Sequence, residues 1–376
     1  MRKICYISGT RADFGLMRSM LQAMHRDTDF ALSIVVTGMH LAEQYGNTVT
    51  EIEAAGLPVT ARVAVDMATP SGAGMARNIG IMLGGFVDAL ESIRPDLVLL
   101  LGDRGEMLAG ALAAIHLNIP VAHIHGGERS GTVDEPVRHA ISKLSHFHFV
   151  ATEGARERLI RMGELPAHVW VSGAPGLDGI EAAVIADRAE LLRDVGFDEK
   201  KAVALMVYHP VLQEAAAAGR QAAQILDALK RQGVQVIALK PNADAGSDGV
   251  RQVLDARQAD PDVRVVTHFP RDRFVSWMAV ADLMIGNSSA GIIEAASFGT
   301  PVINVGSRQN LRERNANVID VDTDELAIDE AISRVLKQGR LERHNIYGDG
   351  HAGERILALL RQLSLDSSLL AKANAY

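Results

Sequence analysis

Short apolar runs alternate with longer amphipathic stretches along most of this 376-residue chain. Each apolar run has the length of a strand, and each amphipathic stretch is long enough for a helix. This alternation is typical of parallel sheets covered by helices on both faces. It therefore predicts an α/β protein.

The predicted strands fall into two groups, because a chain of this length is too long for one ordinary core. Between the groups, residues 172–179 read Ser-Gly-Ala-Pro-Gly-Leu-Asp-Gly, which is typical of a hinge. We expect two Rossmann-like domains, 1–175 and 176–351, facing a central cleft, with a helix near 354–363 in segment 352–376 that could return to the first domain. The predicted strands are 3–8, 31–37, 61–66, 96–101, 121–125, 147–152 and 169–172, then 203–208, 234–240, 263–267, 283–285, 302–305 and 317–320.

Composition narrows the class of protein. Hydrophobic residues make up 48% of the chain and charged residues 22%, which is the globular range. The net charge of −8 argues against nucleic acid as a partner. No apolar run is long enough to span a membrane or to form a signal peptide, so we expect a cytoplasmic protein without membrane association. The single Cys5 fits a reducing compartment.

The first predicted strand is followed by Ser-Gly-Thr-Arg-Ala-Asp-Phe-Gly at 8–15. This loop lacks the G-x-G-x-x-G pattern of dinucleotide-binding proteins, and no P-loop occurs anywhere in the chain. NAD enzymes and P-loop kinases are therefore disfavoured. Arg11 could bind an anion, although a surface arginine on a glycine turn would look the same.

A second loop, Gly-Asn-Ser-Ser-Ala-Gly at 286–291, lies between an apolar strand and a helix. The hydroxyls of Ser288 and Ser289 and the free backbone N–H groups around Gly291 could bind a phosphate. Helix capping by Asn or Ser is the alternative. Glu294, one turn later, could accept hydrogen bonds from a ribose.

Three further polar residues follow predicted strands of the second domain. His209 follows the first of these strands, Asn242 the next and Arg308 a later one. The C-terminal strand ends of open α/β sheets are where ligands bind. We therefore expect all three residues at a site for an anionic ligand, although ordinary loop residues would fit the pattern too.

Asp103 and Arg104 end the very apolar run 97–101 of the first domain. A carboxylate beside a guanidinium at a strand end is a common functional arrangement. Asp103 could equally cap the following helix.

The densest polar cluster is His-Ile-His-Gly-Gly-Glu-Arg-Ser-Gly-Thr-Val-Asp at 123–134. Strand periodicity places His123 and His125 on one face, which could indicate a metal site. The alternative, which we favour, is acid–base chemistry by His125, Glu128 and Asp134 together with Asp103. We predict no metal and no other cofactor.

Taken together, these motifs resemble the hydrolysing UDP-N-acetylglucosamine 2-epimerases of sialic-acid and related nonulosonate pathways. The resemblance covers nearly the whole chain and implies a glycosyltransferase-B-like fold. Its most specific segments are Gly-Thr-Arg-Ala-Asp-Phe-Gly (9–15), Val-Thr-Gly-Met-His (36–40), Ser-Gly-Thr-Val-Asp (130–134), Arg-His-Ala-Ile-Ser-Lys (138–143), Pro-Asn-Ala-Asp-Ala-Gly-Ser (241–247) and Gly-Asn-Ser-Ser-Ala-Gly (286–291).

The resemblance implies elimination of UDP from C1 with loss of the C2 proton, followed by hydration to N-acetylmannosamine. It assigns catalysis to Asp103 and Asp134 with Arg104 nearby, and the ribose to Glu294. It assigns the diphosphate to Arg11, His209, Ser288, Ser289 and Arg308.

One position departs from the sialic-acid enzymes, which carry His-Ile-Glu-Gly-Gly-Glu where this chain has His-Ile-His-Gly-Gly-Glu. His125 thus replaces a catalytic Glu, and its size, charge and donor pattern differ. The His-Ile-His form looks like the branch acting on nucleotide-linked N,N'-diacetylbacillosamine. We expect UDP-N-acetylglucosamine as the substrate, with a UDP- or GDP-linked diacetylbacillosamine as the alternative.

The same motifs also allow four other functions. A non-hydrolysing epimerase would retain a UDP-sugar product, a glycosyltransferase would need an acceptor, and a metal-dependent hydrolase would lose activity on chelation. A nucleotide-sugar sensor would bind UDP without turnover. The resemblance also implies a homodimer or homotetramer.

Overall fold

The computed structural model describes residues 1–68 and 71–376. In this part of the chain, the strands form two wholly parallel sheets. The first sheet contains β1 Arg2–Ser8, β2 Phe30–Thr37, β3 Val59–Val63, β4 Leu97–Leu101, β5 Val121–Ile124, β6 Phe147–Val150 and β7 Val169–Val171. The second contains β8 Val203–Val207, β9 Gln235–Leu239, β10 Val263–Val266, β11 Leu283–Gly286, β12 Val302–Val305 and β13 Val318–Val321.

The two sheets have the same strand order at their centres. The order is β3-β2-β1-β4-β5-β6-β7 in the first sheet and β10-β9-β8-β11-β12-β13 in the second. In each sheet the order reverses beside the first strand, and such a switch point is where open α/β sheets bind ligands. The predicted pair of Rossmann-like units is confirmed.

Helices cover both faces of each sheet and connect its parallel strands. The α-helices are α1 Arg11–Arg26, α2 Val49–Ala54, α3 Gly72–Ile93, α4 Gly105–His116, α5 Asp134–Leu144, α6 Glu153–Arg161, α7 Arg188–Val195, α8 Ala218–Arg231, α9 Ser247–Ala256, α10 Arg271–Val280, α11 Ser289–Ile293, α12 Glu325–Gln338 and α13 Ala352–Gln362. Short 3₁₀ turns span Gly38–Leu41, Glu43–Tyr45, Pro166–His168, Pro175–Leu177, Leu212–Ala217, Ala295–Phe298 and Ser367–Leu370.

Each predicted strand has a counterpart in the structure, and the largest displacement is at β3. This edge strand begins two residues before the predicted start at Ala61 and ends at Val63 instead of Asp66. Its pairing with β2 ends at Thr37 opposite Val63. The Asp66 carboxylate then accepts the Ala68 amide at 2.9 Å, a local turn that the short side chain of Asp favours.

The final helix α13 packs on the first sheet's domain. Ile356, Leu357 and Leu360 are buried among side chains of β1, β2 and α1. The guanidinium of Arg2 donates hydrogen bonds to the carbonyl oxygens of Leu360 and, at 2.7 Å, Leu363. The chain therefore crosses from the second sheet back to the first, while the proposed boundary at residue 175 stays a prediction.

Among the described residues, no helix is long and apolar enough to cross a membrane.

We predict that α13 is part of the first domain's core. Leu360→Ala should lower the free energy of unfolding by about 3 kcal/mol, because it removes a fully buried side chain and leaves a cavity. Urea denaturation measures this change. Leu326→Ala, at a side chain that is 73% exposed, is the control and should change stability by less than about 0.5 kcal/mol. Equal stability of the two variants would contradict the docking of α13.

Candidate active site

Arg11 reaches the cleft from the first turn of α1, where a capping box fixes the backbone. Thr10 Oγ1 accepts the Asp13 amide at 3.2 Å, and the Asp13 carboxylate accepts the Thr10 amide at 2.7 Å. Both side chains are buried, so the loop is rigidly held. The guanidinium of Arg11 donates to the Thr267 carbonyl of the second domain at 2.6 Å. Burial lowers the pKa of Arg11 to about 10, so it stays a cation at neutral pH.

A cavity of about 130 Å³ opens beside this guanidinium, between the two domains. Most of the residues predicted to bind an anionic ligand line it. They are Arg11, His209, Asn242, Ser288, Ser289 and Glu294. Gly291 and Arg308 lie outside its lining. The first six residues were predicted from four separate loops, and the fold brings them to one place.

His209 is held in this cavity by its neighbours. Its backbone N–H donates to Asn287 Oδ1 at 2.7 Å, and Asn287 Nδ2 donates back to the His209 carbonyl at 2.8 Å. The Asn242 amide donates to His209 Nδ1 at 3.4 Å. Burial, and next the Arg308 guanidinium, lower the pKa of His209 to about 3. The neutral ring therefore carries its proton on Nε2 and can donate it to an anion.

The loop 286–291 caps helix α11 and also lines the first cavity with the hydroxyls of Ser288 and Ser289. Ser288 Oγ accepts the Ala290 amide at 3.3 Å, so the alternative of a helix cap holds for this residue. Gly291 faces the sheet, where a Cβ would come within 2.9 Å of Val302. Its small size therefore serves packing, and it lies outside the lining of the first cavity, so phosphate binding at Gly291 stays a prediction. Glu294 is buried and forms an ion pair with Arg271.

A second cavity, of about 260 Å³, holds three of the five predicted catalytic residues. Asp103, Arg104 and Asp134 line it together. Asp103 and Arg104 follow β4, and Asp134 begins α5 after β5. This cavity therefore places two carboxylates and one guanidinium at the C-terminal edge of the first sheet.

Two buried arginines hold Asp103. Arg138, one turn after Asp134 on α5, is fully buried and forms an ion pair with Asp103. It also donates to the Glu128 carbonyl at 3.1 Å and to Ser130 Oγ at 3.2 Å. Arg312 of the second domain lies 3.8 Å from the Asp103 carboxylate. Asp103 is thus held by two cations. The alternative role of capping the following helix is not required to explain its position.

Asp134 and Arg104, the other two predicted catalytic residues in this cavity, also form ion pairs across the cleft. Arg308 Nη2 lies 3.4 Å from Asp134, and the Arg308 carbonyl accepts the Gly131 amide at 3.2 Å. Arg104 lies 3.3 Å from Glu106 of its own domain. It also lies 3.3 Å from Asp244 of the second domain. Arg308 was predicted to bind the diphosphate, yet in this structure it contacts a catalytic candidate.

His125 and Glu128 form a separate pair that does not line either cavity. His125 Nδ1 faces the Glu128 carboxylate, whose other oxygen pairs with Arg312. Burial, and next Arg312, lower the pKa of His125 to about 3. The imidazole is therefore neutral, with its proton on Nδ1 toward Glu128 and an acceptor at Nε2.

The predicted strand 121–125 ends one residue early, which separates the two histidines. His125 has φ +64°, a left-handed conformation that costs energy in a non-glycine residue and often marks a functional site. His123 stays in β5, where Nε2 donates to the Gly102 carbonyl at 2.7 Å and Nδ1 accepts the Ser142 hydroxyl at 3.0 Å. The prediction that the two histidines lie in one strand, with their side chains on one face, is wrong.

His148 of the next strand, β6, also interacts with protein side chains. His148 lies 2.9 Å from the buried Glu164, which also pairs with Lys143 and Lys372. Within residues 1–68 and 71–376, no group of three or more His, Cys, Asp or Glu side chains is arranged to hold a metal ion.

Sequence reasoning missed four charged residues of the site: Arg138, Asp244, Arg271 and Arg312. Arg138 had a usable signal, because its spacing of four from Asp134 places both on one helix face. Asp244 and Arg312 meet their partners only across the cleft, and Arg271 meets Glu294 from a different element of the same domain. No local pattern could have paired them.

The sequence profile of the UDP-N-acetylglucosamine 2-epimerase family matches residues 22–361. The chain belongs to this family. The resemblance inferred from the motifs is confirmed, and with it the expectation of an enzyme of the 2-epimerase type.

Two relatives of this epimerase-family chain differ in the sugar that they are named for. The UDP-N,N'-diacetylbacillosamine 2-epimerase (hydrolyzing) of Legionella pneumophila is 51% identical over 100% of both chains. A UDP-N-acetylglucosamine 2-epimerase of Neisseria meningitidis is 36% identical over 93% of this chain and 92% of its own. A crystal structure of UDP-GlcNAc 2-epimerase from Neisseria meningitidis bound to UDP-GlcNAc superposes with a TM-score of 0.81 at 19% identity, covering 96% and 100% of the chains. The predicted fold is thereby confirmed.

We predict that this epimerase-family chain loses stability on acidification. The pKa values of His123, His125 and His209 are near 3 in the folded state and near 6.5 when unfolded. The unfolded chain therefore binds more protons between these values, so the free energy of unfolding falls as pH drops below about 6.5. The loss should be on the order of 2 kcal/mol per imidazole between about pH 7.5 and about pH 5, measured by urea denaturation.

Two variants test the assignment of this pH dependence. His209→Gln should remove part of it, whereas His351→Gln, at a side chain that is 65% exposed, should leave it unchanged. A pH-independent free energy of unfolding in the wild type would show that these imidazoles are protonated in the folded state.

Proposed function

We propose that the protein is a hydrolysing 2-epimerase that converts UDP-N,N'-diacetylbacillosamine and water into UDP and 2,4-diacetamido-2,4,6-trideoxymannose. The observation that carries the chemistry is the neighbouring placement of two cavities. One is lined by donors suited to a diphosphate, and the other by the carboxylates of Asp103 and Asp134. Identity of 51% with the Legionella enzyme, against 36% with the Neisseria one, favours the diacetylated sugar.

UDP-N-acetylglucosamine, the substrate expected first from the sequence, is the second candidate. The Neisseria relative is named for it, and the superposed crystal structure holds it. His125, in place of the Glu of the sialic-acid enzymes, argues against it. The two candidates share all bond changes, so the catalytic assignments below apply to both.

The first cavity is suited to hold the leaving group. Arg11 is a fixed cation, His209 offers an N–H donor, and Ser288 and Ser289 add hydroxyls. Donors that are already in place stabilise the charge that develops on a departing diphosphate, which is where such groups lower a barrier most. Glu294, oriented by Arg271, would accept hydrogen bonds from the ribose hydroxyls.

The second cavity is suited to move protons at C2. In the first step a carboxylate removes the C2 proton, the C–H electron pair forms the C1=C2 bond, and the C1–O bond breaks with release of UDP. In the second step water adds its oxygen to C1 and gives up one proton to solvent, and a carboxylic acid on the opposite face delivers a proton to C2. Two faces require two proton-transfer groups. Five carboxylates line this cavity, those of Asp66, Asp103, Glu106, Asp134 and Asp244, and we assign the two roles to Asp103 and Asp134.

We assign His125 and Glu128 to positioning. Glu128 holds both the His125 imidazole and the Arg312 guanidinium, and Arg312 in turn approaches Asp103. The pair therefore sets the position of a cation beside a proton-transfer carboxylate. A substitution of His125 would therefore affect the reaction at C2 indirectly, by altering the positions of Arg312 and Asp103.

The proposal places the enzyme in the synthesis of legionaminic-type nonulosonic acids, with sialic-type acids as the corresponding pathway for the second substrate. The predicted homodimer or homotetramer and the cytoplasmic location stay predictions.

The direct test is incubation of the purified protein with each nucleotide sugar, with and without EDTA, followed by NMR of the released sugar. We expect free UDP and a 2-epimerised sugar, formed faster from UDP-N,N'-diacetylbacillosamine and unaffected by chelation. Release of UDP only when an acceptor is added would identify a glycosyltransferase instead. A product still attached to UDP would identify a non-hydrolysing epimerase.

We predict a division of labour between the two cavities. Asp103→Asn and Asp134→Asn should each lower kcat by roughly 100-fold or more while changing UDP affinity little, because they act on the sugar. Ser289→Ala should weaken UDP binding by roughly threefold to tenfold, the effect of one lost hydrogen bond. Isothermal titration with UDP and steady-state kinetics measure both. Equal loss of UDP affinity in all three variants would contradict the division.

A further inference from the structure

The second cavity, which we call the sugar-side cavity, is lined by two chemically different sets of side chains. The charged set consists of Asp103, Arg104 and Asp134 together with Asp66, Glu106 and Asp244. The rest of the lining is dominated by large apolar side chains, which we call the apolar wall. The apolar wall consists of Met67, Met75, Ile79, Met82, Val137 and Leu212.

Helix α3 supplies the centre of the apolar wall. Met75, Ile79 and Met82 have the spacing i, i+4, i+7 that places side chains on one helix face. Ile79 packs so closely on Gly105 that a Cβ there would lie 2.8 Å from its Cδ1. Since Gly105 follows Asp103 and Arg104 directly, the apolar wall is fixed relative to the proposed proton-transfer groups.

An apolar surface at this place discriminates between the two candidate sugars. They differ at C4, which carries a hydroxyl in one and an acetamido group in the other, and at C6, which carries a hydroxyl in one and is a methyl in the other. A hydroxyl pressed against hydrocarbon loses its hydrogen bonds to water without replacement. A methyl group gains by leaving water.

The acetamido N–H also needs an acceptor. Asn78 lines the same cavity, and its side-chain nitrogen donates to the Asp66 carbonyl at 2.7 Å. This contact fixes the amide and leaves its oxygen as an acceptor group among the apolar side chains.

We propose that the apolar wall is the specificity element of the enzyme, and that it selects nucleotide sugars carrying an acetamido group at C4 and a methyl group at C6. This inference rests on the proposed function, because it assigns the second cavity to the sugar. It adds residues outside the His125–Glu128 pair to the determinants of substrate choice.

Two substitutions on α3 test the proposal against a matched control. Met75→Gln preserves length and shape, and Ile79→Gln makes the centre of the apolar wall polar. Ile81→Gln is the same chemical change on the same helix, at a side chain that is 51% exposed and outside the cavity. Thermal unfolding and UDP titration establish that each variant is folded and binds nucleotide.

We expect both wall variants to lower kcat/KM for UDP-N,N'-diacetylbacillosamine by roughly 10-fold or more, the range for one lost apolar contact in a specificity pocket. The value for UDP-N-acetylglucosamine should fall less or rise, so that the ratio of the two shifts toward the hydroxylated sugar. Ile81→Gln should leave the ratio unchanged. An unchanged ratio in folded Met75→Gln and Ile79→Gln, or an equal shift in Ile81→Gln, would overturn the proposal.

Failure of the proposed function gives a different result. The wild type would then release UDP from neither nucleotide sugar. The apolar wall would still be tested by binding, since it predicts that the wild type binds UDP-N,N'-diacetylbacillosamine more tightly than UDP-N-acetylglucosamine and that Met75→Gln removes the difference. Equal affinity of the wild type for both would overturn it.

Discussion

The site depends on ion pairs between arginines and carboxylates that face each other across the cleft. Arg312 bridges to Glu128 and Asp103, Arg308 lies beside Asp134, and Arg104 of the first domain reaches Asp244 of the second. These contacts bring the C-terminal edges of two separate sheets together. The first cavity, which we propose for the nucleotide, and the sugar-side cavity are neighbours because these edges meet.

Buried ion pairs of this kind contribute little net free energy to the stability of a protein. Removing two charges from water costs several kcal/mol per ion, which the attraction between them recovers only partly. Their value here lies in placement, because each one fixes a group that the proposed reaction needs. The buried imidazoles follow the same logic, since burial keeps His125 and His209 neutral and therefore limits each ring to one donor and one acceptor nitrogen.

The fold could be predicted because its signal is local and repeated. Strands such as Leu97–Leu101 are buried on both faces, so they appear in the sequence as continuous apolar runs. The displaced strand β3 lies at a sheet edge, where half of the pairing that would define its ends is missing. The candidate ligand residues were predictable for a related reason, since residues after parallel strands collect at one edge of a sheet.

What could not be predicted depends on contacts between distant residues. Arg312 meets Glu128 from 184 positions away, and the sequence offers no pattern that links them. His125 was predicted as the last residue of strand 121–125, but its left-handed backbone ends β5 at Ile124. The missing side chain of Gly291 makes room for Val302, a packing role that the loop sequence does not reveal.

We propose that Asp103 and Asp134 exchange a proton at C2 while UDP leaves C1. The reaction of UDP-N,N'-diacetylbacillosamine in D₂O tests this step, with the deuterium content at C2 of the released sugar measured by NMR. We expect one deuterium at C2 of the inverted sugar for each UDP released. A released sugar that keeps its original proton and configuration at C2 would show simple hydrolysis at C1 and would rule out elimination.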